Sequence, residues 1–189
     1  VSEHDQFRPP MGMTEPSEPI FFSAMDKPGK MVNAFTKDLT SIGLYNPPDS
    51  GVLLSLMQIN GYMASIGSGE QTDFLMTSVL SPSDKAENIV FLPIYSAILN
   101  RFPSSKATAI GQATLPTETT AIMALDHFAG SSAMNETPEV RHVKLHGLVV
   151  LPPNSLVTIQ GKGVQHLSWW SIFWREIPFI QTLLPQTQG

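Results

Sequence analysis

Residues 145–161, LHGLVVLPPNSLVTIQG, are two apolar runs held apart by Pro152-Pro153-Asn154-Ser155. Proline fixes φ, and Asn and Ser bond back to nearby backbone, so the chain is made to reverse between the runs. Runs of this length bounded by turn residues read as strands. The stretch predicts a β-hairpin in an all-β sandwich.

The same grammar extends outward. Downstream, Lys162-Gly163 leads into a third strand over 165–177, and upstream the first run reaches back to Val140. Residues 44–60, LYNPPDSGVLLSLMQIN, repeat the plan of turn followed by apolar strand. A period of two would put Val52, Leu54 and Leu56 on one face and Leu53, Met57 and Ile59 on the other, making both faces apolar. Residues 20–24, 74–80, 89–95 and 119–128 read as further strands, with Pro93 marking an edge or a bulge. Residues 32–44 stay open between a short strand and a loop, and 67–71, 81–88 and 130–138 read as loops.

No long amphipathic helix stands out, and short strands between Gly, Pro, Asn and Ser turns indicate a sandwich or barrel. The expected fold is all-β, an antiparallel β-sandwich of jelly-roll type. The expected organisation is an extended arm over 1–19, the sandwich over 20–178 and a tail over 179–189. Pro9, Pro10, Pro16 and Pro19 keep the arm extended, and Phe7, Met11 and Met13 are its apolar anchors.

With 189 residues there is room for one domain with a sizeable core. Only 14% of residues are charged against 42% hydrophobic, a low charge for a surface that faces water everywhere. Much of the surface is therefore expected to face protein. A net charge of -5 and scattered basic residues argue against a direct nucleic-acid contact. The absence of cysteine removes disulfides, thiolate ligands and thiol nucleophiles, and no apolar run is long enough for a membrane span.

The strand SWWSIFWREIP, residues 168–178, carries the assembly expectation. Trp170, Ile172 and Trp174 fall on one face, and Trp169 and Phe173 on the other. A sandwich strand needs one buried face, so the second is expected to be covered by another subunit, by the chain's own arm, or by a sugar stacked on the aromatics. Phe179, Ile180, Leu183 and Leu184 make the tail too apolar to be left in water. The candidate oligomer interface is Trp169, Trp170, Ile172, Phe173, Trp174, Phe179, Leu183 and Leu184.

Catalytic, cofactor and metal sites are all expected to be absent. His142 and His146 would share a helix face, but on a strand they lie about 13 Å apart, too far to share one ion. A metal-binding cupin would place its His residues closer and add a Glu. No Gly-x-Ser-x-Gly elbow occurs, and Asp126 and His127, being adjacent, point to opposite faces of a strand. Gly67-Ser68-Gly69 lacks the lysine and helix that a phosphate loop needs.

The combination of LYNPPDSGVLLSL, HGLVVLPPNSLVTIQG and the closing SWWSIFWREIP resembles small jelly-roll structural proteins of bacteriophages and other virions, related in outline to trimeric tumour-necrosis-factor-like modules. Over residues 40–178 the resemblance implies a decoration, fibre or spike subunit located in the virion. Its partners would be copies of itself, as a trimer, together with other virion proteins. An alternative on the same fold is a module that binds a glycan on a host surface through the loops 67–71 or 130–138.

Overall fold

The computed structural model describes residues 21–25, 29–30, 37–39, 41–63, 71–80, 86–96, 104–129, 139–163 and 167–178. The expected arm, 1–19, and tail, 179–189, lie outside them. The described chain is all strand, turn and bend: β1 (Phe21–Met25), β2 (Gly29–Lys30), β3 (Asp38–Leu39), β4 (Gly43–Asn46), β5 (Val52–Met63), β6 (Gln71–Leu80), β7 (Glu87–Phe91), β8 (Ile94–Ser96), β9 (Thr108–Thr114), β10 (Thr120–Ala129), β11 (Glu139–Leu151), β12 (Ser155–Gly163) and β13 (Leu167–Pro178).

These form two antiparallel sheets. Sheet A runs β11-β5-β13-β1-β8, with β2 extending the β1 side of β13; sheet B runs β10-β6-β12-β4-β9, with β3 continuing the β4 side of β9. Ile110 of β9 pairs with Gly43 of β4 and with Phe91 of β7, so β7 occupies the opposite side of β9 and closes that edge of sheet B.

The pairing has a simple plan. β1 pairs with β13, β4 with β12, β5 with β11 and β6 with β10. The chain is thus folded in half on itself, early strands against late ones, and the doubled ribbon is wrapped into two sheets.

The core lies between the sheets. Sheet A contributes Phe22, Leu54, Leu56, Ile59, Trp170, Ile172 and Trp174; sheet B contributes Leu44, Met76, Val157 and Ile159. Burial of this apolar surface drives the two sheets together. Phe22 stacks on Trp174 with ring centroids 6.0 Å apart.

The stretch 145–161 is not a hairpin. β11 belongs to sheet A and β12 to sheet B, so the turn at 152–154 carries the chain from one layer to the other. The turn at 47–51 makes the reverse crossing from β4 to β5 beside it. Asn46 ties the two: its Nδ2 donates to Val52 O at 2.8 Å and to Leu151 O at 3.0 Å, and its own carbonyl accepts from Asn154 N at 2.7 Å. Ser155 Oγ donates to Pro152 O at 2.5 Å. Asn154 and Gly51 take the left-handed backbone that each turn requires, at φ 60° and 68°.

A bulge also revises the faces expected of β5. Phe173 pairs with Gln58 and Trp174 with Leu56, leaving Met57 as an extra residue. That shift reverses the alternation, so Leu54, Leu56 and Ile59 all point into the core. On the other side of β5 the partner positions Lys144 and Val149 enclose four residues, 145–148, opposite Met57 alone. His146 and Gly147 turn this bulge with φ 51° and 80°.

The outer face of β12, in the middle of sheet B, is covered by the chain itself. Residues 115–119 cross from β9 at one side of the sheet to β10 at the other, four strand spacings or about 19 Å. Under this strap Leu156 packs with Ile110, Ala113 and Leu115. Gln160 Oε1 accepts from Thr119 Oγ1 at 2.6 Å and Thr77 Oγ1 at 3.3 Å, and all three residues are buried. β12 is therefore buried on both faces.

Candidate functional site

With β12 covered in the middle of sheet B, the outward surfaces of the described residues that stand out by their chemistry are the outer face of sheet A and the two flanks of the sandwich. β13 alternates regularly, and this divides its large side chains. Trp170, Ile172 and Trp174 are at most 1% exposed and belong to the chain's own core, while Trp169 and Phe173 are half-buried on the outside. Of the residues expected at an oligomer interface, these last two are the ones the described fold presents outward. Phe179, Leu183 and Leu184 lie outside the described residues.

Trp169 pairs with Tyr62 across β13 and β5, and their rings stack at 3.7 Å between centroids and 24° between planes. One step along, Asn60 pairs with Ser171 on one side and His142 on the other. Asn60 Oδ1 accepts from Gln58 Nε2 at 2.5 Å and lies 2.8 Å from His142 Nδ1, which donates when its proton sits on that nitrogen. An aromatic pair therefore adjoins a linked row of amide and imidazole.

His146 sits in the bulge, set apart from His142 by the backbone turn as well as by chain distance. No three His, Asp or Glu side chains come together as metal ligands among the described residues. Asp126 and His127 lie on β10, paired with Phe74 and Asp73. The recognition loops expected at 67–71 and 130–138 fall outside the described residues except for Gln71 at the start of β6.

The flanks hold residues that periodicity does not single out. All five residues of β7, Glu87–Phe91, are exposed, including Ile89, Val90 and Phe91. Tyr95 on β8 and Met25 on β1 are exposed beside them. On the far side of the sandwich Ile122 of β10 and Val140, Leu148 and Val150 of β11 are exposed. A short apolar run such as ENIVF reads by itself as buried strand, but Pro93 beside it marks an edge or a bulge, and β7 lies at a sheet edge. Open apolar edges are sites for pairing with other chains.

Glu176, near the end of β13, has a structural task. Its Oε1 accepts from Ser105 Oγ at 2.6 Å, Lys106 N at 2.7 Å and Ala107 N at 3.3 Å, fastening the approach to β9.

The chain matches no known family model, and no curated protein or solved structure is measurably similar to it.

Proposed function

We propose that this protein is a virion structural protein: a jelly-roll subunit that forms or decorates the outside of a viral or phage particle through homo-oligomeric, trimeric assembly. The observation that carries the reading is the strand pairing. If β1, β4, β5, β6, β10, β11, β12 and β13 are counted one to eight, the pairs are one with eight, two with seven, three with six and four with five. That order supports the reading of an eight-stranded jelly roll, an architecture of capsid proteins and also of lectins and cupins. In this assignment β7, β8 and β9 are an insertion between the fourth and fifth strands that widens both sheets on one side.

Fold alone does not set function, and the surface supports the choice among these. The low share of charged residues and the exposed apolar edges suit a subunit that spends much of its surface on protein contacts. Its work is adhesive and mechanical, with other virion proteins as further partners. Native mass spectrometry with negative-stain imaging tests this: trimers or larger symmetric particles are expected, and a protein that stays monomeric at high concentration refutes it.

A second reading, a module that binds a host-surface glycan, is favoured by one observation. The Tyr62–Trp169 stack beside Gln58, Asn60 and His142 combines an aromatic surface with hydrogen-bonding groups. A glycan array separates the readings, since binding that is lost in Trp169→Ala supports this one and an empty array removes it.

A further inference from the structure

We propose that copies of this chain associate head to tail, with the β7–β8 flank of one subunit packing against the β10–β11 flank of the next. This rests on the oligomeric reading above and names the surfaces that carry it.

The first flank is built from the edge strand of sheet B, β7, and the edge strand of sheet A, β8, joined through Leu92 and Pro93. Phe91 is 65% exposed and Tyr95 59%, with Val90 and Met25 close behind. The second flank, on the other side of both sheets, is built from β10 and β11; Leu148, standing out from the bulge, is 87% exposed, and Val140, Val150 and Ile122 accompany it. Every strongly exposed large hydrophobic residue among those described lies on or beside one of these two flanks. Monomers seldom leave such groups together in water.

Two arguments make the occupant of each flank the other flank of a second copy. A two-fold contact joins a patch to itself, so it would cover one flank and leave the second wet. Contact between unlike flanks buries both at once. Charge favours the same match: β11 presents Lys144 outward, so that flank packed on itself would bring like charges together. β7 opens with exposed Glu87, and Asp38 lies across Thr114 from it, with Lys37 adjoining. The outer sides of β7 and β11 also have no strand paired to them among the described residues, leaving backbone donors and acceptors to meet across the junction.

The experiment uses complementation. Phe91→Asp disables the first flank and Leu148→Asp the second, and both sites are exposed in the subunit, so circular dichroism and thermal melting should match the parent. Val90→Asp and Val150→Asp form a second, independent pair. In sedimentation velocity the parent should assemble, each variant alone should be monomeric, and the two mixed should give a 1:1 dimer that grows no further. Assembly of either variant to the parent's size overturns the head-to-tail mode while leaving the subunit reading intact. Two monomeric variants that ignore each other on mixing also overturn it, because the flanks then do not meet. A monomeric parent removes both proposals together.

Discussion

The ring of Trp170 occupies the space directly over Gly61, its partner in the β13–β5 register, so that a Cβ on Gly61 would collide with the ring. Glycine at this position is a packing requirement: the ring of Trp170, one of the two largest core side chains, fills the space a Cβ would need. Gly61→Ala should therefore destabilise the protein by about 1–3 kcal/mol, the usual cost of overfilling a packed core. Urea denaturation followed by tryptophan fluorescence measures it, and unchanged stability would show that the ring moves aside freely.

The two faces of β13 predict unequal responses. Trp170→Ala removes a ring that is 1% exposed and should cost about 3–5 kcal/mol. Trp169→Ala removes a half-buried ring stacked on Tyr62 and should cost about 0.5–1.5 kcal/mol. Parallel denaturation curves decide the matter; equal losses would contradict the division of the strand into a core face and an outer face.

Asn46 serves both inter-sheet turns with one side chain. In Asn46→Ala the carbonyl of Leu151 loses its side-chain donor while that of Val52 keeps Ser50 Oγ at 3.4 Å, and leaving a buried polar group unpaired costs about 1–3 kcal/mol. Asn46→Asp should be no better, since a carboxylate cannot donate to either carbonyl. A thermal melt at neutral pH that places the Asp variant with the parent would rule out the donor role.

The strap over sheet B is held by a buried polar junction at Gln160. Gln160→Leu removes the acceptor for Thr77 and Thr119, so residues 115–119 should exchange their amide hydrogens faster by about tenfold, the effect of about 1.4 kcal/mol. Hydrogen exchange with mass spectrometry localises the change. Acceleration spread evenly over β12 and β6 would mean that the glutamine supports the sheet and not the strap.

Much of this was readable from the sequence, and what was not has identifiable causes. Strands over 139–151, 155–163 and 167–178 announce themselves through apolar runs between turn residues. Their allocation to sheets does not, because Pro-Pro-Asn-Ser reverses a chain equally well within a layer and between layers. The inward side of Ile59 depends on one extra residue, Met57, whose presence is meaningful only against the partner strand. Trp170 and Trp169 look alike as letters; register and neighbours send one into the core and the other outward. The exposure of Ile89, Val90 and Phe91 comes from their place at a sheet edge, which Pro93 signals as an edge or a bulge but which the apolar run itself does not show.

The fold-in-half pairing also sets an order of events during synthesis. β13 lies between β1 and β5 in sheet A, and β12 lies between β4 and β6 in sheet B. Until the ribosome has delivered these late strands, β1 has β8, β4 has β9, β5 has β11 and β6 has β10, so each sheet is split in two and its core face stays open. Contacts between distant parts of a chain form slowly and leave unfinished chains prone to aggregate. A nascent chain stopped after Gly163 should accordingly leave sheet A split between β5 and β1 and protease-sensitive there, and resistance should arrive once residues 167–178 have emerged.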